Sequence, residues 1–339
     1  MKVDTHLDTS SWAALPDEAR RLEAAGYDRV WTSEISHDPF LPLGVAAAAT
    51  SRISLGTAIT VAFARSPMTT AYVANDLQAA SRGRFTLGVG SQVRAHITRR
   101  FSMPWGGRPA AQMREYILAL RAIWAAWNDG KPLDVRGEYY QHTLMTAMFR
   151  PEPHSYGPPP IFLAAVGEEK TRVAGEVADG LLLHSFTTER YLREVTLPAL
   201  ADGASRAGRS LRDIKITCPG FVVIDDGSRE AGKRITAARR RIAFYASTPA
   251  YRPVLELYGW GDLADRLHAL SVTSDEGRWA VMGEMVDNEV LNTFAVIGRA
   301  HDVGTELKRR YGDVVDRVRV SKSSGLPPDQ VPDLLAALH

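Results

Sequence analysis

The stretch Ile53-Ser54-Leu55-Gly56-Thr57-Ala58-Ile59-Thr60, answered downstream by Phe85-Thr86-Leu87-Gly88-Val89-Gly90-Ser91, decides the fold. The first run is apolar and ends in small residues. Pro67 then opens a helical segment carrying Tyr72, Leu77 and several alanines, and Arg82-Gly83 stops it before the second run. Strand, helix and strand in that order make a parallel pair joined by a crossover. Both strands end in groups suited to a flat, anionic ligand: Thr57, Ala58 and Thr60 after the first, and Gly88, Gly90 and Ser91 after the second, where glycine lets a ligand approach the backbone.

Upstream, Lys2 to Leu7 alternates like a strand, Trp12 to Ala25 carries Leu15, Ala19 and Leu22 at helical spacing, and Arg29-Val30-Trp31-Thr32 is a second strand. Its following loop, Ser33 to Pro39, concentrates ionisable groups before an alanine-rich helix from about Leu41 to Thr50. Downstream of Ser91 the alternation is interrupted over residues 92–160. Within that excursion Met113, Ile117, Leu120, Trp124 and Trp127 form a buried helical stripe, while Trp105, between proline and glycine, suits a loop reaching over a pocket. Strands resume at Ile161 to Ala165, Gly180 to Leu183, Ile214 to Ile224 and, as the last, Phe294 to Ile297. Eight strands alternating with helices predict an α/β fold, a (β/α)8 TIM barrel with an insertion after strand four, in one domain spanning residues 1–339.

The chain's 339 residues, 45% of them hydrophobic, suffice for a barrel core. The formal charge of +2, from 41 basic and 39 acidic side chains spread along the chain, gives no field suited to nucleic acid, so a small-molecule partner is expected. Cys218 is the single cysteine, which excludes an intrachain disulfide and suits a reducing compartment. No apolar run approaches the length of a membrane span and no signal core follows Met1, so a soluble, cytoplasmic protein without membrane contact is expected.

In such barrels the residues that matter follow the strands. These are Glu34 and His37 after strand two, Ala58-Ile59-Thr60 at the end of strand three, Ser91-Gln92 after strand four, Ala165-Val166-Gly167 after strand five and His184 after strand six. The helix opening at Gly167 offers free backbone N–H groups and a favourable dipole to a phosphate; alternatively Gly167 only eases a tight turn, and Glu168 and Glu169 are first-turn acids that compete with an anion. Val3-Asp4-Thr5-His6-Leu7-Asp8 resembles the histidine pair that opens metal-dependent hydrolase barrels, but Asp8 replaces the second histidine and strands five and eight bring no further ligand, so no metal site is expected.

Arg52 to Thr60, Arg65-Ser66-Pro67, Ser81 to Gly90 and Ala178-Asp179-Gly180 resemble the bacterial luciferase-like superfamily, most closely its branch that uses the deazaflavin coenzyme F420. The resemblance runs nearly end to end. It implies a redox coenzyme across the strand ends, supported from behind by a bulge with a non-prolyl cis peptide at Ala58-Ile59, and a homodimer. The implied coenzyme-binding set is Glu34, Ala58, Ile59, Thr60, Ser91, Gln92, Val166, Gly167 and Glu168. The histidine of the family's sugar-phosphate dehydrogenases falls on Ile35, leaving Glu34 and His37 as the proton-handling pair. The expected function is hydride transfer between F420 and a small organic substrate; an FMN-dependent monooxygenase and a flavin-type binding protein without turnover are the alternatives.

Overall fold

The computed structural model describes residues 1–338. Its strands in chain order are β1 (Lys2–His6), β2 (Arg29–Thr32), β3 (Ser54–Thr57), β4 (Thr60–Val61), β5 (Phe85–Gly90), β6 (Val135–Arg136), β7 (Gln141–His142), β8 (Ile161–Ala165), β9 (Gly180–Leu183), β10 (Lys215–Cys218), β11 (Phe221–Ile224), β12 (Ala295–Gly298) and β13 (Arg317–Arg319). Between the parallel strands run helices, among them α1 (Leu15–Ala24), α2 (Leu41–Ala49), α3 (Pro67–Ala80), α4 (Pro109–Asn128) and α5 (Glu168–Val177). This is the alternation of a (β/α)8 barrel. No helix among the described residues is long and apolar enough to cross a membrane.

The chain falls into two compact units. In the larger, residues 6–182 with 199–215, β2 pairs with β3 (Trp31 beside Gly56), β3 with β5 (Leu55 beside Phe85), β4 with β5 (Thr60 beside Val89) and β5 with β8 (Gly88 beside Phe162), all parallel. Helix α3 begins where Ser66 accepts the N–H of Thr69 and Pro67 fills the first turn. The insertion after β5 carries α4, whose Met113, Ile117, Leu120, Trp124 and Trp127 are buried as their spacing predicts, and the small antiparallel pair β6 and β7. Trp105 stands edge-on to Phe63 with ring centres 5.9 Å apart.

In the smaller unit, residues 1–5, 183–198 and 216–338, β1 pairs with β13 and β13 with β10, while β11 and β12 form a separate parallel pair. Two expectations are corrected here. The predicted strand Ile214 to Ile224 is two strands, because Pro219 lacks the N–H that a continuous ladder needs and Gly220 accompanies the break. Of the predicted last strand, Phe294 to Ile297, Phe294 ends the helix Asn288–Phe294 and the rest lies in β12, off the barrel; the eighth barrel strand is β13. Its Arg-Val-Arg composition hides a buried strand, since the Arg317 guanidinium is neutralised inside by both carboxylate oxygens of Asp4 at 2.6 to 3.1 Å.

Candidate functional site

The predicted third strand breaks after Thr57 and resumes at Thr60, and the Ala58-Ile59 peptide between them is cis, as expected. The loop after β2 holds this bulge by its backbone. Ala58 donates its N–H to the Thr32 carbonyl at 2.7 Å, Ser33 Oγ donates to the Ala58 carbonyl at 2.7 Å, and Glu34 donates its N–H to the Ile59 carbonyl at 3.1 Å. The Glu34 carboxylate is fully engaged. It accepts the Val61 N–H at 2.7 Å and Arg65 Nη1 on both oxygens, while Arg65 Nη2 reaches Asp38 at 3.0 Å. Glu34 therefore stands as a clamp, a charge-assisted one that joins the loop after β2 to the strand after the bulge.

Behind the bulge lies an apolar floor of buried Trp31, Phe162 and Leu182, on which the partly exposed Ala58, Ile59 and Ala164 pack. Gly88 and Gly90 serve the bulge, and the sequence expectation that they admit a ligand to the backbone is corrected. A Cβ on Gly88 would sit 1.8 Å from the Thr57 carbonyl oxygen, and one on Gly90 would sit 2.9 Å from Ile59 Cδ1. Thr57 completes the contact, its hydroxyl donating to the Gly88 carbonyl at 2.7 Å and accepting the Gly88 N–H at 2.9 Å. Beside it Thr60 Oγ1 is buried with no hydrogen-bond partner.

Gly167 caps α5 with φ +77° and ψ 160°, and a Cβ built on it would meet nothing within 4 Å, so the loop borders open space. Half-buried Val166 precedes it. Glu168 turns along the helix to accept from Arg172 at 2.6 Å. Lys170, one turn in, donates from Nζ to Ser91 Oγ at 3.0 Å, a neutral partner for a cation. Burial pulls the Lys170 ammonium below its usual pKa, with Glu169 acting in the opposite direction. Gln92, in the left-handed region at φ +59°, turns its amide oxygen back to the Val93 N–H at 3.0 Å. The sequence reading placed Ser91 and Gly167 after neighbouring strands; the Lys170 to Ser91 contact itself had no signal in the chain.

His37 is half-buried, its ring edge-on to Trp12 at 6.0 Å, and it makes no hydrogen bond among the described residues. Asp38 next to it accepts the Phe40 and Leu41 N–H groups at 2.8 and 3.1 Å, which is the capped turn into α2. His184 belongs to the smaller unit, stacked on Tyr251 at 4.7 Å and edge-on to Tyr245 at 4.7 Å. Among the described residues no group of three His, Cys, Asp or Glu side chains is placed to hold a metal.

A redox coenzyme with a planar ring and a phosphate fits what is present in the larger unit. The partly exposed Ala58, Ile59 and Ala164, backed by the apolar floor, suit the ring, the orphaned Thr60 hydroxyl suits a polar edge, and Lys170 with the Gly167 loop suits an anion.

The sequence model of the luciferase-like monooxygenase family matches residues 1–317. An uncharacterized protein of Mycobacterium tuberculosis is 52% identical over 306 residues, 90% of this chain and 89% of that protein. An F420-dependent glucose-6-phosphate dehydrogenase of Beutenbergia cavernae is 35% identical over 207 residues, 57% of this chain and 59% of that enzyme. Among solved structures, a coenzyme F420 dependent tetrahydromethanopterin reductase of Methanopyrus kandleri superposes with a TM-score of 0.77 at 22% identity, covering 100% of this chain and 96% of that one. The fold is the (β/α)8 barrel of such enzymes.

Proposed function

Because the chain belongs to the luciferase-like monooxygenase family, we propose that it is an oxidoreductase that moves a hydride between coenzyme F420 and a small organic substrate. The observation that carries this reading is the Lys170 contact with Ser91 beside the open Gly167 loop, a cation on a neutral partner in the same unit as the partly exposed apolar Ala58, Ile59 and Ala164. The coenzyme, when bound, supplies the hydride-accepting and hydride-donating carbon of its ring. Lys170 and the first N–H groups of α5 hold its phosphate, and Ser91 orients the ammonium. Ala58, Ile59 and Thr60 support the ring; Glu34 keeps them in place through Val61 and Arg65. His37 carries the proton that accompanies the hydride, since its ring is free of hydrogen bonds while the carboxylate of Glu34 is engaged. Trp105 and its loop exclude water. The protein works in the cytoplasm as a homodimer.

Fluorescence titration with F420 and with FMN tests the reading. Tight binding of F420 and turnover with some member of a panel of alcohols, sugar phosphates and enones is the expected result. Preference for FMN makes the protein a flavin monooxygenase, and saturable binding without turnover across the panel makes it a coenzyme carrier.

A further inference from the structure

Beyond β5 the chain leaves regular backbone geometry three times in quick succession. Gln92 at φ +59° and Ser102 at φ +54° are non-glycine residues in the left-handed region, and between them His96–Arg100 makes a π turn, with the Phe101 N–H donating to the His96 carbonyl at 2.9 Å. Such geometry costs stability and concentrates at functional sites. Ile97 anchors the turn in the core, while Arg94, His96, Arg99 and Arg100 are exposed.

The turn fixes Arg100 in place. Its Nη2 donates to the Ile35 carbonyl at 2.6 Å, and its guanidinium lies over the Phe101 ring at 4.8 Å. Ile35 directly follows Glu34, whose N–H holds the Ile59 carbonyl of the bulge, and stands two residues before His37. The cation is thus hydrogen-bonded to the very loop that positions the bulge, inside the larger unit. Its Nε and Nη1 make no hydrogen bond, and no acid among the described residues pairs with Arg94, Arg99 or Arg100. The two carboxylates of the loop after β2, Glu34 and Asp38, are taken by Arg65.

The side chain of Ile35 is 73% exposed. An exposed isoleucine is ordinary by itself. This one carries on its own carbonyl the guanidinium of Arg100, so an uncovered apolar surface and an unpaired cation meet at one residue of the loop.

We propose that Ile35 and Arg100 select the substrate, an organic oxyanion whose apolar body rests on Ile35 and whose headgroup takes the free donors of Arg100. The guanidinium suits a carboxylate or a phosphate monoester equally, and its neighbours Arg94 and Arg99 add to the field that draws either in. That the oxyanion is the substrate rests on the oxidoreductase reading; that Ile35 and Arg100 bind it does not.

Calorimetric titration of the coenzyme-free protein with hexanoate, hexyl phosphate, acetate and 1-hexanol tests it, in the Lys170→Met background so that the other anion site is silent. One hexyl anion should bind at least about 10-fold more tightly than acetate or 1-hexanol, and it identifies the headgroup. Adding Arg100→Gln should weaken that anion at least about 10-fold and leave 1-hexanol unchanged, with Arg100→Lys in between. Ile35→Ser should weaken it about 5-fold. The proposal is overturned if neither hexyl anion binds, or if Arg100→Gln or Ile35→Ser binds the anion as well as its parent. It is overturned too if Arg100→Gln loses 1-hexanol to the same degree, which makes Arg100 a brace of the loop, or if F420 affinity falls as far as anion affinity, which assigns Arg100 to the coenzyme. The anion titrations need neither coenzyme nor turnover, so they fail separately from the proposed function.

Discussion

Arg65 Nη1 touches both carboxylate oxygens of Glu34, at 2.7 and 2.6 Å, across a sequence separation of 31 residues. The pair ties the loop after β2 to the segment beyond the bulge. Glu34→Gln keeps the size of the side chain and removes its charge, leaving Asp38 as the one carboxylate on Arg65. Thermal melting should show a loss of about 1–3 kcal/mol, the range for a hydrogen-bonded, mostly buried charge pair deprived of one partner. Coenzyme affinity should fall with it, whereas an unchanged melting temperature would show that the clamp contributes nothing.

Lys170→Met removes the ammonium and retains the apolar stem. Coenzyme dissociation, read by fluorescence, should weaken about 10- to 100-fold, the scale of one charge-assisted contact to a phosphate. Stability should hold, because the ammonium is desolvated against a neutral hydroxyl. Affinity equal to wild type would move the phosphate away from α5.

His37→Ala should lower turnover by roughly two to four orders of magnitude with coenzyme affinity unchanged, as for loss of a general acid or base. Single-turnover rates with an identified substrate are the measurement. Turnover near wild type would assign His37 to the turn that Asp38 caps.

The pH dependence of stability has a specific source in His184, whose pKa burial and the charge of Arg319 push down to about 4. The unfolded chain protonates this ring near the ordinary histidine value, so between that value and about 4 the unfolded state binds the extra proton. Stability is therefore complete above about pH 7 and declines as pH falls toward 4, by up to about 3 kcal/mol. Denaturant titrations of wild type and His184→Gln across that window should show the slope in the first and a shallower one in the second.

How legible the chain was depends on what each element is made of. β2, β5 and β8 were readable as short apolar runs bounded by turn residues, and α4 because its apolar residues recur at helical spacing. The bulge was marked by small residues at a strand end and by the family resemblance. β13 was not readable, because a buried Arg317 looks like a surface residue until its partner Asp4, near the other end of the sequence, is known. For the same reason Gly88 was misread. A glycine in a strand signals close approach, but only the packing shows that the approaching group is the Thr57 carbonyl and not a ligand. Tyr245 and Tyr251, packed against His184, were missed outright, since long-range proximity of side chains leaves no local pattern.

The buried pair of Asp4 with Arg317 also sets an order of events during synthesis. A ribosome releases Asp4 early, and its partner lies 313 residues downstream. Until β13 emerges, β1 has neither the neighbour that completes its ladder nor the cation that neutralises its inward carboxylate, so β1 is secured only after β13 is made. The larger unit, whose strands β2 to β8 are consecutive in the chain, can assemble in the meantime.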